Sequence, residues 1–309
     1  MTFSDQAASQ ADEAPEGAAR VWRWILNFLM YGANTKTGEP RVPFYRHPLF
    51  VRIAHWVNAG VLLIMLMSGL QIFNAHPALY WGKSADFAHP ILSLTAVYDE
   101  KHDIRGRTQI GSWTFDSTDT FGYSKVDGQY AVRGFPSWMT LPSVQWLAMG
   151  RQWHFFFSWF FGLNGLLFIA LALRSRHAQR DLFPKISDFT HLPKEIVQHA
   201  LLRFPKGEAA KRYNGIQRLT YFFVIFILGP LVVLTGLTMS PTLDAAFPPL
   251  LWIFGGRQTA RTIHFLCAFS FLAFFFVHIA LVLLSGAGNG IRSMITGRWY
   301  LEKDGGARE

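Results

Sequence analysis

Four long stretches of the chain are almost free of charged residues, and they limit the possible folds more than any other feature. A helix needs roughly 20 apolar residues to cross the hydrocarbon core of a bilayer. The composition agrees, because 16% of the 309 residues are charged, whereas a soluble domain usually has about a quarter. We therefore predict an all-α integral membrane protein, a bundle of four transmembrane helices at about residues 49–73, 152–173, 219–240 and 262–284.

The charges outside these stretches predict the orientation of the chain. With the N-terminus placed inside, the inner segments carry 19 Lys and Arg residues and the outer segments carry nine, in agreement with the positive-inside rule. Residues 74–151 then form a long outer, periplasmic loop, and both termini are cytoplasmic in a bacterial inner membrane. This topology, with attraction to anionic membrane lipid, accounts for the net charge of +9, so no nucleic-acid binding is expected.

The chain is expected to have three regions. Residues 1–48 form a cytoplasmic tail with a possible interfacial helix at 21–31, residues 49–285 form the four-helix domain, and residues 286–309 form a second cytoplasmic tail. Residues 1–20, rich in Ala, Glu, Asp and Gln, are expected to be disordered. The outer loop is expected to form a cap of short strands or loops, and its length makes it a candidate docking surface for a partner. No internal repeat is evident.

Four of the eleven histidines lie within or at the edges of the apolar stretches. An ionisable residue in a membrane helix is costly without a partner and so indicates a function. A histidine that only caps a carbonyl is the alternative for any single one, and it is less favoured for four histidines at consistent depths. By depth they form two layers, His154 with His264 on the outer side and His55 with His278 on the inner side. Each layer offers two ligands from two helices, as a six-coordinate haem b requires.

The spacing of two of these histidines favours haem over another metal. His264 and His278 are fourteen residues apart on the predicted fourth helix, which separates them by about 21 Å along the axis and about 40° around it. A zinc site would instead cluster its ligands, typically with i, i+4 spacing. The single cysteine, Cys267, excludes an iron–sulfur cluster, and the lack of a Cys-x-x-Cys-His motif excludes c-type haem. We predict two b haems, with the four histidines as axial ligands of iron.

Other residues near the histidines admit two interpretations each. Six glycines on the first three helices could make room for porphyrin faces or could allow close helix packing: Gly60, Gly69, Gly162, Gly165, Gly229 and Gly236. Arg52 and Arg218 could pair with haem propionates beside the inner layer or could anchor the helices at the membrane surface. The residues alone leave both alternatives open.

The segment Arg52-Ile-Ala-His55-Trp56, followed by Ser68-Gly69-Leu70, resembles the first helix of the bacterial di-haem cytochrome b family. That family includes the cytochrome b subunits of nickel–iron hydrogenases, the gamma subunits of formate dehydrogenases and thiosulfate-reductase-type subunits. The resemblance covers about residues 43–299, and residues 68–82 are most similar to the thiosulfate-reductase-type branch, whose members accompany molybdopterin oxidoreductases.

This resemblance implies a membrane subunit of a respiratory oxidoreductase. The chain would carry electrons through two b haems between a periplasmic redox partner, a molybdopterin oxidoreductase, and the quinone pool. It would not itself transform the substrate of the partner. The outer loop is longer than expected for the hydrogenase and formate dehydrogenase branches, which leaves the identity of the partner open.

A second motif, Tyr213-Asn214-Gly215-Ile216-Gln217, resembles the Tyr-Asn-x-x-Gln run at the quinone site of formate dehydrogenase gamma subunits. The resemblance implies that Asn214 and Gln217 contact an exchangeable quinone beside the inner haem. An amide can donate a hydrogen bond to a quinone carbonyl. The alternative is a helix N-cap, for which Asn is a favoured residue.

Two hypotheses from other classes compete with electron transfer. The first is a non-haem transporter that uses the membrane histidines as proton relays, although the spans contain no Asp or Glu. The second is a structural membrane anchor for an outer complex. Within the electron-transfer class, a self-contained quinol oxidase is a further alternative. Haem content separates the first two hypotheses from electron transfer.

Overall fold

The structure, a computed structural model, describes residues 16–32, 41–201 and 211–302. Four of its helices are long and apolar enough to cross a membrane: Leu49–Phe73, Leu147–Arg174, Gly215–Thr238 and Arg257–Thr296. Few side chains in the most apolar stretch of each span are buried, and large ones such as Phe156 and Leu166 are exposed at the surface of the chain, as contact with lipid requires. The prediction of a helical membrane protein with four spans is confirmed.

The helices differ in regularity. In chain order they are α1 (Glu16–Tyr31), α2 (Leu49–Phe73), α3 (Leu147–Arg174), α4 (Ile186–Ala200), α5 (Gly215–Phe222), α6 (Gly229–Thr238), α7 (Pro241–Ala246), α8 (Pro249–Ile253) and α9 (Arg257–Thr296). The third span consists of α5, a π-helical stretch at Phe223–Leu228 and α6. The fourth span, α9, is kinked at Gly286, whose φ is 104°.

Strands occupy much of the segment between the first two spans. The strands of that segment are β2 (Ala78–Leu79), β3 (Leu92–Tyr98), β4 (Ile104–Ile110), β5 (Trp113–Asp116), β6 (Gly122–Val126) and β7 (Gln129–Arg133). Strand β1 (Arg41–Tyr45) precedes the first span, and β8 (Arg298–Glu302) follows the fourth. An antiparallel sheet has the order β2-β3-β4-β5, and β6 pairs with β7 in a separate hairpin. We call residues 74–146 the β cap. The all-α description holds for the membrane spans, and the β cap adds short strands, as the sequence predicts for this loop.

The chain divides into two compact units, a central unit of residues 53–182 and 220–273 and a terminal unit made of the rest. In the central unit the β cap shares a hydrophobic core with the helix ends. Leu70 and Phe73 of α2 are buried with Leu94 and Phe135 of the cap, and Phe265 of α9 packs against them. Apolar burial of this kind holds the cap on the spans.

Hydrogen bonds reinforce the junction between the cap and the helices. Asn74 donates to the carbonyl of Phe135 at 3.2 Å and accepts from its N–H at 2.7 Å. Thr262, in the second turn of α9, donates to the carbonyl of Tyr80 at 2.7 Å. Because each bond satisfies a backbone group away from water, the cap is placed at one defined position on the ends of α2 and α9.

A buried arginine organises the end of the cap. Arg133 is 1% exposed; its Nε donates to the carbonyl of Phe135 at 2.7 Å, its Nη1 to that of Ser143 at 2.9 Å and its Nη2 to Thr140 Oγ1 at 2.8 Å. Burial lowers the pKa of this guanidinium below its usual range. The three bonds tie β7 to the chain that leads into α3.

The terminal unit is held by a second, smaller sheet. Strands β1 and β8 pair antiparallel, with Arg41 opposite Glu302 and Tyr45 opposite Arg298. Asn289 of α9 donates to the carbonyl of Tyr300 at 2.8 Å and accepts from its N–H at 3.0 Å.

Helix α1 begins at Glu16, so the predicted disorder is wrong for 16–20, and residues 1–15 lie outside the described residues. Trp22 and Trp24 of α1 are exposed. The interfacial position of this helix stays a prediction.

We predict that Arg133→Ala destabilises the β cap. The carbonyl of Ser143 and the hydroxyl of Thr140 lose this donor, the carbonyl of Phe135 keeps only Asn74, and a buried acceptor left unsatisfied costs about 1–3 kcal/mol. Limited proteolysis should cut within residues 74–146 faster, and the thermal transition should fall. The control is Arg105→Ala, which removes an exposed arginine that pairs with Asp99 and should change little. Equal protease resistance of the two variants would contradict the role assigned to Arg133.

Candidate functional site

Two of the four predicted ligands face each other inside the central unit. The imidazole rings of His154, on α3, and His264, on α9, have centroids 6.2 Å apart and planes inclined at 67°. Both rings lie among the helices rather than at the surface of the cap. The structure thus brings together the pair predicted as the outer layer.

The ring of His154 is fixed through its Nδ1 atom. This nitrogen lies 3.1 Å from the carbonyl oxygen of Met65 and 3.2 Å from Ser68 Oγ, both on α2. The Ser68 hydroxyl itself donates to the carbonyl of Ile64 at 2.7 Å. Since a carbonyl can only accept, Nδ1 carries the proton and donates it. The remaining nitrogen, Nε2, is then unprotonated and has its lone pair available.

The ring of His264 is fixed in the same way by α6. Its Nδ1 lies 2.9 Å from the carbonyl oxygen of Val232 and 3.3 Å from Thr235 Oγ1. Thr235 Oγ1 donates to the carbonyl of Leu231 at 2.7 Å. Here too the proton lies on Nδ1, and the lone pair lies on Nε2.

A glycine lies beside each ring. A Cβ atom at Gly69 would stand 3.3 Å from His154 Cε1, and one at Gly236 would stand 3.2 Å from His264 Cε1. Side chains at these positions would press on the imidazoles, so the two glycines make room for the histidine rings. No such neighbour lies within 4 Å of a Cβ at Gly60 or Gly162.

The two anchors form an internal repeat that the sequence analysis missed. Residues 65–70, Met-Leu-Met-Ser-Gly-Leu, correspond to residues 232–237, Val-Val-Leu-Thr-Gly-Leu. In each, the first residue supplies the carbonyl, the fourth the hydroxyl and the fifth the glycine. The shared hydroxyl-Gly-Leu run on the first and third spans is the signal that could have revealed it.

This geometry fits one six-coordinate haem iron. Metal–imidazole bonds of about 2 Å, with about 1 Å from each nitrogen to its ring centre, place two such rings about 6 Å apart, against the observed 6.2 Å. Ligating histidines characteristically donate their other N–H to a carbonyl. Among the described residues, neither Nε2 has a hydrogen-bond partner, and no cluster of three or more His, Cys, Asp or Glu suits a metal ion.

Residues 120–297, more than half of the chain, match the family model described as prokaryotic cytochrome b561. The chain belongs to this family. One relative, the putative protein-methionine-sulfoxide reductase subunit YedZ1 of Azospira oryzae, is 25% identical over 243 residues, covering 77% of this chain and 90% of the relative. No solved structure matches the chain. Family membership makes the chain a membrane electron-transfer protein of the haem b class.

The region that matches the cytochrome b561 model contains His154, His264 and His278 and begins after His55. His55 lies in the central unit, where its ring meets Trp56 edge-on at 5.1 Å. His278 lies in the terminal unit, where its ring stacks on Phe274 at 5.6 Å. The pairing of His55 with His278 therefore stays a prediction.

Close to His55 the structure adds a polar pair that the sequence analysis did not consider. Asn164 of α3 donates through Nδ2 to Asn58 Oδ1 at 2.9 Å and to the carbonyl of Ala54 at 3.0 Å. Asn58 lies one turn after His55 on α2. The amide of Asn164, which donates to two groups of α2, joins α2 to α3 at this depth.

The predicted quinone residues of this cytochrome form a helix cap. Asn214 Oδ1 accepts from the N–H of Gln217 at 2.8 Å, and Gln217 Oε1 accepts from the N–H of Asn214 at 3.3 Å. This reciprocal pair is a capping box at the start of α5. The capping alternative is therefore observed, and the quinone contact stays a prediction that would have to use the amide N–H groups.

The two arginines predicted to bind propionates already have partners. Arg218 is buried, and its Nη1 lies 3.0 Å from Asp188 Oδ2. Arg52 donates from Nη1 to the carbonyl of Ile295. The carboxylate of Asp188 neutralises Arg218, which weakens the case for a propionate there. Both propionate assignments stay predictions.

We predict that Gly69→Val lowers the haem content of the protein. A side chain at Gly69 meets the ring, and overpacking costs about 1–3 kcal/mol. The measurement is the haem-to-protein ratio of the purified protein from its reduced-minus-oxidised spectrum. Gly60→Val, on the same helix and facing open space, is the matched control and should keep its haem. Equal haem content in both variants would show that ring clearance at Gly69 does not matter.

Proposed function

We propose that this cytochrome b carries electrons through two b haems, between a redox partner at the outer face of a bacterial inner membrane and the quinone pool at the inner face. The observation that carries the proposal is the His154–His264 pair, with ring centroids 6.2 Å apart and both Nδ1 protons held by backbone carbonyls. A transporter or a structural anchor has no need of two imidazoles held in this way.

In this proposal His154 and His264 are the residues that would hold the iron of the outer haem. The carbonyls of Met65 and Val232 fix the tautomer and the orientation of the rings, and they raise the basicity of each Nε2. A bound haem supplies one-electron transfer, while the chain supplies ligands, burial and nearby charge.

The inner haem of the proposal is held by His55 and His278. The support is the sequence spacing, because His278 comes fourteen residues after His264 on α9, or about 21 Å along a regular helix. Next to His55, the amide of Asn164 donates to the carbonyl of Ala54 and to Asn58 Oδ1. Electrons could then cross most of the membrane between two fixed sites.

The proposed partner docks on the β cap, which presents Tyr98 and Trp113 as exposed aromatic residues. The name of the Azospira oryzae relative, a reductase subunit, supports a redox partner. The resemblance of residues 68–82 to the thiosulfate-reductase-type branch favours a molybdopterin oxidoreductase. The excess of Lys and Arg in the inner segments, 19 against nine in the outer ones and ten of them in residues 174–218, supports a cytoplasmic position for both termini and an outer position for the cap.

Quinone chemistry is proposed at the start of α5. Asn214 and Gln217 use their carbonyl oxygens in the capping box, and their amide N–H groups would donate to a quinone carbonyl. Tyr213, whose hydroxyl lies 3.4 Å from His47 Nδ1, adds a group that can exchange protons. Protons released from a quinol there would leave on the inner side.

We predict that His154→Ala and His264→Ala remove the same haem. Each deletes one axial ligand of one iron, so either variant should keep about half of the haem, and the double variant should lose no more than either single. His55→Ala and His278→Ala should remove the other haem. Potentiometric titration of the b-type bands identifies which haem is lost, and exposed His89→Ala is the control.

Two results would contradict the proposal. One is the absence of b-type bands from the purified wild-type protein. The other is a double His154→Ala, His264→Ala variant that loses twice as much haem as either single variant, because the two residues would then serve different haems.

We predict that Asn214→Asp slows the reduction of the haems by a water-soluble quinol roughly fivefold, since a lost hydrogen bond is worth about 1 kcal/mol. Aspartate keeps the capping oxygen and removes the amide donor. Asn214→Ala removes both and serves as the comparison. If Asn214→Ala slows the reaction while Asn214→Asp matches the wild type, the motif acts only as a helix cap.

A further inference from the structure

An arginine near the start of the fourth span lies one turn from a proposed iron ligand. Arg261 precedes His264 by three residues on α9, and residues at i and i+3 are neighbours on a helix, about 4.5 Å apart along its axis. Its Nη2 donates to the carbonyl of His76. Its guanidinium carbon lies 5.2 Å from the centre of the Phe73 ring.

No acidic partner accompanies this charge. Among the residues that the structure describes, no carboxylate lies within ion-pair distance of Arg261. Arg257, one turn earlier on the same helix, pairs with Asp244. A charged side chain within a membrane span is normally paired, because the unpaired charge is costly there. Arg261 is therefore a cation whose counter-ion the described side chains do not supply.

Tyr80 and His76, the titratable groups on which the charge of Arg261 acts, do not supply a negative charge either, and the carboxylate of Asp86, which acts on Tyr80, forms no ion pair with Arg261. Burial, more than any other cause, raises the pKa of the Tyr80 phenol, which keeps it protonated. Burial and the nearby Arg261 charge lower the pKa of His76, which keeps that imidazole neutral. The positive charge of Arg261 is thus locally uncompensated.

The aromatic residues around Arg261 lead to the candidate site. Phe73, which lies under the guanidinium, packs on Phe265 with ring centroids 4.9 Å apart, and Phe265 is the residue after His264. The hydrogen bond to His76 uses one of five N–H donors of the guanidinium. The geometry that guanidinium groups recognise best is a carboxylate bound by two parallel N–H groups.

We propose that Arg261 binds a propionate carboxylate of the haem held by His154 and His264. The inference rests on the proposed haem at that pair. The propionates are the anionic groups at the edge of a b haem, so the cofactor would bring the missing counter-ion. Arg261 is a positioning residue in this assignment: it orients the cofactor and its positive charge favours the reduced iron.

Potentiometric titration of the purified holoprotein tests the assignment. Arg261→Gln should shift the oxidised-to-reduced ratio of the haem lost in His154→Ala about tenfold toward the oxidised form, which is about 59 mV for a one-electron couple. Arg261→Lys keeps the charge and should recover most of the shift. Arg257→Gln, whose charge is paired with Asp244, is the matched control and should leave that potential unchanged.

A second readout separates binding from a merely structural role. With haem labelled with carbon-13 at its propionate carboxyls, the infrared redox-difference bands of the carboxylates should move in Arg261→Gln and not in Arg257→Gln. If Arg261 only ties the helix to the carbonyl of His76, stability falls while the potential and these bands stay as in the wild type, and the assignment is wrong. Loss of haem in Arg261→Gln that Arg261→Lys restores supports it, and equal loss in both overturns it.

These outcomes are distinct from failure of the haem proposal itself. If wild-type protein has no b haem, or if His154→Ala retains all of it, the proposed site fails. If His154→Ala removes one haem while Arg261→Gln leaves its potential and carboxylate bands unchanged, the site stands and only the role of Arg261 fails.

Discussion

A backbone carbonyl that accepts two hydrogen bonds is the interaction on which the central unit depends. In a helix the carbonyl of residue i already accepts from the N–H of residue i+4, and its second lone pair stays available. Met65 and Val232 use that lone pair for His154 and His264. The residues at i+4 are Gly69 and Gly236, beside which each ring lies. A larger residue there would obstruct the imidazole, so the carbonyl contact accounts for the glycine.

This interaction links ligand geometry to helix packing. The imidazole of His154, on α3, is anchored on α2, and that of His264, on α9, is anchored on α6. All four spans therefore contribute to one pair of imidazoles. In a bilayer there is little hydrophobic driving force between helices, and packing and hydrogen bonds hold them together instead. The same hydrogen bonds therefore fix the two imidazole rings and hold the helices together. The side of each helix that points away from the rings can then face lipid.

Features that depend on composition and depth could be predicted from the sequence. The length of each charge-free stretch predicted the spans, and the depth of each histidine along antiparallel helices paired His154 with His264. Span length and residue depth depend only on the rise of a helix per residue, so the sequence is enough to obtain them. The repeat at 65–70 and 232–237 was missed, since the anchoring carbonyls are backbone atoms that no residue type reveals. The sequence predicted short strands or loops in the β cap but not the bounds of the strands. In β4, Gly106 and Thr108 are buried and Arg105 and Arg107 are exposed. Over seven residues such an alternation is a weak signal in the sequence. Asn214 had two possible roles in the same motif, and spacing could not separate a cap from a ligand contact.

The ion pairs of the folded chain change which arginine we expect beside the propionates of a bound haem. Sequence reasoning looked to Arg52 and Arg218, because they flank the predicted inner layer. In the folded chain Asp188 neutralises Arg218 and Asp244 neutralises Arg257, so these charges are already satisfied by the protein. Among the described arginines of the fourth span, the charge at Arg261 has neutral neighbours and lies one turn from His264. Burying a charge costs free energy unless it is paired. A guanidinium at that position is therefore explained if its partner is a propionate of the haem that we propose His154 and His264 bind.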